Sequence, residues 1–138
     1  MLNLSADAAS ALDRRLQAEN IAWLTTVSPD GQPQSSPVWF LWDDGEFLIY
    51  AQPKSWKVRN IGAHPQVSLN LNSSDSGGRV VTLEASARIA ADQPPVHEVG
   101  AYLTKYRAGI ASIGTTPEQM AADYSVALRL TPTRVRTY

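Results

Sequence analysis

The sequence contains no cysteine, which excludes disulfide bonds, thiolate nucleophiles and cysteine-ligated metal sites. It also lacks a long apolar run, so we expect no membrane-spanning helix and no membrane partner. The formal net charge of the 138 residues is −1, whereas proteins that bind nucleic acid broadly carry a basic excess. We therefore expect no nucleic-acid partner, and any recognition of an anion must be local.

The first residues, Met1 to Asp7, lack the basic segment and the apolar segment of a secretory signal, which predicts a cytoplasmic protein. Apolar residues make up 43% of the chain and charged residues 18%, as in an ordinary soluble globular domain. The length suits one hydrophobic core, and no repeat or linker interrupts it. We expect residues 1–138 to form a single domain.

Sequence patterns for several common active sites are also missing. No Ser-His-Asp order is present, and Ser76-Gly77-Gly78 lacks the lysine and the strand-loop-helix setting of a phosphate-binding loop. The two histidines, His64 and His97, are far apart and have no ligand spacing with a carboxylate. We expect no metal site, and hydrolase or kinase activity is disfavoured.

Alternating apolar residues and turn signals predict a chain that is mainly β with flanking helices. Ser5 or Asp7 caps a first helix that ends at about Glu19, and further helices are predicted at 56–64, at 94–107 and from Thr116. Six short antiparallel strands favour a barrel over a doubly wound sheet. The predicted strands are 21–28, 33–42, 47–51, 66–72, 81–89 and 126–138.

Pro37 lies inside the second predicted strand. Because proline has no N–H to donate, this strand must be an edge, carry a bulge, or meet something other than a neighbouring strand there. The position marks a candidate ligand contact.

Three cations, Lys54, Lys57 and Arg59, fall within six residues at a predicted strand-to-helix junction. Helix N-termini attract anions and normally repel cations, so this placement favours an anion site in which Ser55 shares its hydroxyl. The alternative is a solvated turn whose lysines extend into water. Charge spacing alone does not decide between the two.

The sequence also concentrates aromatic residues near this junction. Most of them are expected in the core, because large rings fill small barrels. A planar ligand, however, needs an apolar wall beside its phosphate anchor, and the segment 37–39 lies one hairpin from Lys54. The aromatic residues concerned are Trp23, Trp39, Phe40, Trp42 and Trp56.

Several motifs together resemble the pyridoxamine-phosphate-oxidase-like superfamily, and the resemblance covers residues 21–71. They are AWLTTV at 22–27, DGQP at 30–33, PVWF at 37–40, KSWKVRNI at 54–61 and HPQV at 64–67. The C-terminal part is similar to the branch of probable F420-dependent enzymes. Its motifs are YLTKY at 102–106, IGTTPEQ at 113–119, YS at 124–125 and TPTRVR at 131–136.

The resemblance implies a six-stranded antiparallel split β-barrel of Greek-key type, the FMN-binding split barrel. It implies a homodimer with two cofactor sites at the interface, each using residues of both chains. The segment Ser36, Pro37, Val38 and Trp39 would face the cofactor ring. Lys54, Ser55 and Lys57 would hold the phosphate with Asn60 nearby, whereas Arg59, as a helical neighbour of Lys57, can point elsewhere.

The chain departs from the parent oxidase at two places. The ring-contacting strand begins Ser35-Ser36-Pro37 without the oxidase's arginine, and the C-terminal RVRTY at 134–138 has no histidine. Oxidation of vitamin B6 is therefore not expected.

Three functions follow from the resemblance. The first is an oxidoreductase that uses the deazaflavin coenzyme F420 for hydride transfer to an electrophilic, conjugated small organic substrate. The second is an FMN-binding oxidoreductase on the same barrel, and the third is a non-catalytic module for flavin or haem. The cofactor carries the reactivity in the first two, so no catalytic side chain is identified, although Tyr106 or Tyr124 could protonate a product.

Overall fold

The computed structural model describes residues 3–138 of the chain. Four α-helices and one short 3₁₀ helix accompany the sheet, and none in this range is long and apolar enough to cross a bilayer. They are α1 Ala6–Ala18, α2 Trp56–Ala63, the 3₁₀ helix Val96–Glu98, α3 Gly100–Ser112 and α4 Pro117–Asp123.

The strands of the described chain form one antiparallel sheet in the order β2-β1-β5-β6-β7-β4-β3. They are β1 Ala22–Val27, β2 Pro33–Val38, β3 Leu41–Asp43, β4 Glu46–Ala51, β5 Gln66–Leu71, β6 Val81–Ile89 and β7 Val126–Thr137. The predicted mainly β class is confirmed. The sheet has seven strands and not six, because the predicted strand 33–42 is interrupted at Trp39 and Phe40 and continues as a separate strand.

This interruption explains the curvature of the sheet. The strands β2 and β3 lie at opposite ends of the strand order, yet only Trp39 and Phe40 separate them in the chain. Two intervening residues can bridge at most about 11 Å between the strand ends. The two ends of the sheet must therefore approach each other, and the sheet curls into the half-barrel of a split-barrel fold.

Sequence signals at turns and helix starts agree with the structure. Asp44 and Gly45 both have positive φ, +53° and +74°, as a two-residue hairpin turn between β3 and β4 requires. Ser5 caps α1 and accepts a hydrogen bond from the amide of Ala8, so Ser5 and not Asp7 is the cap. Thr116 caps α4 in the same way, with Pro117 in the first turn.

Two predicted details are wrong. The helix expected from Pro94 begins only at Gly100, because Pro95 is extended and a single 3₁₀ turn precedes α3. The alternation of β6 buries Val81 to Ala87 on one face, but Ile89 at its end is 48% exposed.

The core consists of two clusters on the two sides of β4. The inner cluster fills the curl of the sheet and includes Phe40, Phe47 and Leu128, with Leu12 and Leu16 of α1 packed against it. The outer cluster packs α3 and α4 on the other side of β4. Because β4 is buried on both faces, its end is enclosed between the sheet and these two helices.

Candidate functional site

A cavity of about 290 Å³ lies where the ends of β2 and β4 and the start of α2 face α3 and α4. Ligand pockets in proteins usually measure about 300–1,000 Å³, so this one suits a single flat ring system. Its lining residues are Pro37, Val38, Trp39, Tyr50, Ala51, Gln52, Ser55, Lys57, Tyr102, Ile113, Met120 and Tyr124.

Five of the eight residues predicted to bind a cofactor line this cavity, namely Pro37, Val38, Trp39, Ser55 and Lys57. The other three lie elsewhere. Ser36 lines an adjacent cavity, which Lys57 also lines, Lys54 is exposed before α2, and Asn60 is fully buried. The structure thus brings the predicted ring-contacting segment and phosphate-binding segment together, while their roles stay predictions.

Ser55 is the N-cap residue of α2, as its position in the sequence predicts. An N-cap hydroxyl normally accepts a hydrogen bond from an amide of the first helical turn. That of Ser55 forms no such bond, and its Oγ is buried without a hydrogen-bond partner in the described part of the chain. The first amides of a helix also lack partners within it. Ser55 Oγ and these amides therefore offer an unused set of groups that suits a phosphate.

Lys57 lies on the first turn of α2, and its side chain is half-buried between the two cavities. Burial lowers the pKa of Lys57, because the charged amine is removed from water. Among the described residues that line either cavity, none is acidic. An anion bound beside Lys57 would offset this desolvation cost.

The wall opposite is formed by the end of β2. Of the three alternatives predicted for Pro37, the structure shows an edge strand, because β2 is at one end of the strand order. The indole of Trp39 stacks on Tyr106 with ring centroids 4.7 Å apart and an interplanar angle of 6°. On α3, a Cβ added to Gly109 would lie 3.2 Å from Cη2 of Trp39. The indole is therefore held against α3, and its position is fixed independently of any ligand.

The interrupted backbone after Trp39 is satisfied by two consecutive side chains of α3. The Phe40 N–H donates to Tyr106 Oη at 2.8 Å, and Tyr106 Oη in turn donates to the Asn20 carbonyl at 2.7 Å. Lys105 Nζ donates to the Phe40 carbonyl at 2.7 Å and lies 3.8 Å from the centroid of the Phe40 ring. Burial lowers the pKa of Lys105 to about 8.

These contacts distinguish Tyr106 from Tyr124, the two tyrosines considered as proton donors. The Tyr106 hydroxyl is engaged by backbone groups, and burial raises its pKa. Tyr124 is partly exposed and lines the cavity. Of the pair, only Tyr124 is placed to reach a ligand.

Asn60 links α2 to the sheet. Its Nδ2 donates to Thr26 Oγ1 at 2.9 Å and to Gln34 Oε1 at 2.8 Å. Because buried amides are costly when unpaired, this network holds α2 against β1 and β2. Asn60 therefore anchors the helix that carries Lys57 and follows Ser55.

The expectation that most of the aromatic residues lie in the core holds only in part. Phe40 is fully buried, and Trp42 is partly buried with its Nε1 donating to Asp13 at 3.0 Å. Trp23 and Trp56, however, are 38% and 64% exposed. Trp56 lies at the edge of the adjacent cavity.

Sequence reasoning missed the side of the cavity that α3 and α4 form, which includes Tyr102, Ile113 and Met120. The spacing of Tyr102, Tyr106 and Ile110 identifies the buried face of α3. It does not show what that face packs against. That information depends on the long-range pairing of β4 with β7, which brings the C-terminal helices to the end of β4.

The sequence matches the family model described as pyridoxamine 5'-phosphate oxidase over residues 8–138. The chain belongs to this family. The resemblance to the pyridoxamine-phosphate-oxidase-like superfamily is thereby confirmed. No curated protein matches the chain.

The chain is also similar to several solved structures. It is 25% identical to the conserved hypothetical protein Rv2991 from Mycobacterium tuberculosis, with a TM-score of 0.76, and the match covers 96% of this chain and 83% of that one. It is 28% identical to a protein described as an F420 reductase, with a TM-score of 0.69 and coverages of 90% and 94%. The haem storage protein HutZ from Vibrio cholerae shares the fold at 15% identity, with a TM-score of 0.66 and coverages of 93% and 92%.

Proposed function

We propose that this protein is an oxidoreductase that binds coenzyme F420 for hydride transfer to an electrophilic, conjugated small organic substrate. One observation carries the proposal: a cavity with a flat, fixed aromatic wall at Trp39 has Ser55 Oγ and Lys57 at its other side, and this buried Oγ has no hydrogen-bond partner among residues 3–138. A phosphorylated ring cofactor needs both features. The F420 reductase at 28% identity supports this choice.

The position of each residue in the cavity gives its proposed role. Ser55, the free amides of α2 and Lys57 hold the phosphate, with Lys54 approaching from solvent. The segment from Pro37 to Trp39 faces the ring, whereas Ser36 lies at the adjacent cavity. When bound, the deazaflavin supplies the hydride. Met120, which is buried, gives the opposite side of the cavity an apolar surface, and Tyr124 offers a hydroxyl at the cavity.

The protein acts as a homodimer in this proposal, with two cofactor sites at the interface between the subunits. Pro37 and Trp56 are exposed at the rims of the two cavities within one protomer, and a second copy of the chain would cover them. Sedimentation of the purified protein with and without cofactor measures the assembly state.

FMN is the second candidate, because an anchor of one hydroxyl, one lysine and helix amides fits its phosphate equally well. A non-catalytic haem or flavin module is the third. Among the described residues that line the cavity there is no histidine, so an axial histidine for haem iron does not come from this lining.

The test is a titration of the purified protein with coenzyme F420 and with FMN, followed by cofactor fluorescence. Lys57→Ala should weaken binding of the preferred cofactor by about 1–3 kcal/mol, because a charge-assisted contact is lost. Arg107→Ala is the control, since it removes one positive charge from an exposed position of α3.

Preference for F420, with the loss confined to Lys57→Ala, supports the proposal, and screening of conjugated acceptors then follows. Preference for FMN moves the second candidate to first place. Tight binding without turnover of any acceptor favours the non-catalytic module. Equal affinity of Lys57→Ala and the unmodified protein would remove the phosphate site.

A further inference from the structure

A cavity of about 270 Å³ lies apart from the candidate site, where α1, β3 and α3 meet. Its lining residues are Gln17, Leu41, Trp42, Ala101, Thr104 and Lys105. None of them lines either cavity of the candidate site. Among these described lining residues, Lys105 is the only one with a charged side chain, and we call the space the Lys105 cavity. The proposed function gives it no role.

The amine of Lys105 is held in place without an acidic partner. Its Nζ donates to the Phe40 carbonyl at 2.7 Å and lies 3.8 Å from the centroid of the Phe40 ring. Among residues 3–138, no carboxylate forms an ion pair with it. Burial lowers the pKa of this amine to about 8. A lysine desolvated in this way is activated as a nucleophile, because more of it is neutral near pH 7.

The wall formed by α1 and β3 is fixed by hydrogen bonds to one carboxylate. Trp42 Nε1 donates to Asp13 Oδ1 at 3.0 Å, and Gln17 Nε2 donates to Asp13 Oδ2 at 3.1 Å. Both oxygens of Asp13 are therefore engaged, and this carboxylate forms no ion pair with Lys105. The side chains of Leu41 and Trp42 add apolar surface on which a small acyl group can pack.

A modified Lys105 would still be compatible with the fold. An acylated lysine nitrogen keeps one N–H, which can still donate to the Phe40 carbonyl. Acylation removes the positive charge and with it the cation–π contact with the Phe40 ring. The amide product therefore keeps the hydrogen bond that supports the break between β2 and β3.

From this arrangement we infer that Lys105 is the lysine of this chain that reacts with small acyl phosphates, and that the Lys105 cavity receives the acyl group. The lone pair of Nζ attacks the carbonyl carbon of the donor and a C–N bond forms. The C–O bond to phosphate breaks, phosphate leaves with its electron pair, and the nitrogen gives its proton to water. The step needs no oxidant or reductant, and it does not depend on the proposed function.

The other lysines provide internal references, because the sequence contains only Lys54, Lys57 and Lys105. Lys54 is exposed, and Lys57 is half-buried like Lys105. Among the described residues, only the nitrogen of Lys105 is held by a hydrogen bond. Because a fixed nucleophile beside a cavity reacts faster than a mobile one, we expect Lys105 to be the most reactive of the three.

The experiment treats the purified full chain with acetyl phosphate at about pH 7.5 and measures the rate of acetylation of each lysine by mass spectrometry. Cleavage after arginine places Lys105 alone on the fragment 89–107 and the other two lysines on the fragment 16–59. An amine with a pKa of about 8 is neutral in about a quarter of the molecules at this pH, against about 0.1% at the ordinary value of 10.5. A weaker base is also a weaker nucleophile, so we expect Lys105 to react at least about 5-fold faster than Lys54.

Ala101→Leu tests whether the cavity itself is responsible. The larger side chain fills part of the Lys105 cavity without changing the lysine, so the rate at Lys105 should fall several-fold while the rate at Lys54 is unchanged. Ala111→Leu is the matched control, because it makes the same change at an exposed position of α3 that does not line this cavity.

The comparison within the unmodified protein needs no variant, so it stays decisive if Ala101→Leu fails to fold. In urea the three lysines should react at similar rates, since the cavity is then lost. A rate at Lys105 no higher than at Lys54 or Lys57 in the folded protein overturns the inference. An advantage that persists in urea, or that folded Ala101→Leu retains in full, overturns it as well.

Discussion

Lys105 should make stability depend on pH in a window that few other groups share. The pKa of this lysine is about 8 in the folded protein against 10.5 as its ordinary value, because burial disfavours the charged amine. The unfolded chain therefore binds more protons between these values, and stability rises as the pH increases from about 8 towards 10.5. Below pH 8 the full desolvation cost is present.

The magnitude follows from the shift. Between pH 7 and pH 9 the linkage relation gives an increase in the free energy of unfolding of about 1.3 kcal/mol for a fully buried group. The amine of Lys105 is only half-buried, and solvent screening reduces this to roughly 0.7 kcal/mol. The tyrosines whose pKa values burial raises, Tyr50, Tyr102 and Tyr106, act with opposite sign and above pH 10.

Lys105→Met isolates the effect. The methionine keeps an unbranched chain over the Phe40 ring. The Phe40 carbonyl loses the hydrogen bond from Lys105 at both pH values, so only the change between the two pH values reports the burial of the amine. Urea unfolding of both proteins at pH 7 and pH 9 gives the difference in free energy of unfolding at each pH. We expect the unmodified protein to gain about 0.7 kcal/mol on the variant between the two pH values.

Lys54→Met provides the baseline for removing a lysine charge at an exposed position. A difference between the unmodified protein and Lys105→Met that stays constant from pH 7 to pH 9 would refute the reasoning, because the desolvation cost would then be absent. The reasoning would also be refuted if the free energies of unfolding of Lys105→Met and Lys54→Met changed in the same way with pH, since the cause would then be net charge and not burial.

Two further predictions concern the support of the site and the sheet. Tyr106→Phe should lower the free energy of unfolding by about 1–3 kcal/mol, because the buried Phe40 N–H loses its acceptor; urea unfolding measures it, and an unchanged stability contradicts the role of the hydroxyl. Glu46 has its pKa lowered to about 2, first by Arg88 and then by Thr131, so it stabilises the fold above pH 4.5 and loses that effect as the pH falls towards 2. Glu46→Gln should therefore cost about 1 kcal/mol at pH 7, after allowance for solvent exposure, and little near pH 2, which acid and urea titrations of both proteins compare.

Much of the fold could be predicted from local signals. Ser5, Thr116 and the Asp44-Gly45 turn have local chemistry that specifies a cap or a reversal, and β6 shows its buried face through alternation. The break after Val38 could not be predicted, because Trp39 and Phe40 have high strand propensity. Tertiary contacts from α3 override this preference through Lys105 and Tyr106, which are more than 60 residues away in the sequence.

The candidate site likewise has one part that the sequence predicts and another part that it does not. The anion-binding end lies on one short segment, so the cations and Ser55 reveal it without knowledge of the fold. Gln34 shows no signal by itself, since its importance depends on the hydrogen bond from Asn60 that orients its amide. Tyr102 and Met120 reach the cavity only through the packing of α3 and α4 on β4.

The break between β2 and β3 connects the fold to the proposed chemistry. The same two residues that let the ends of the sheet approach also place Trp39 outside the inner core and Phe40 within it. A continuous strand would keep the alternation of side chains from residue 33 to residue 42 and give no reason for Trp39 to stack on Tyr106. The ring-contacting wall is therefore a consequence of how this barrel is closed, and substitutions that weaken the contacts of α3 with Phe40 should affect cofactor binding as well as stability.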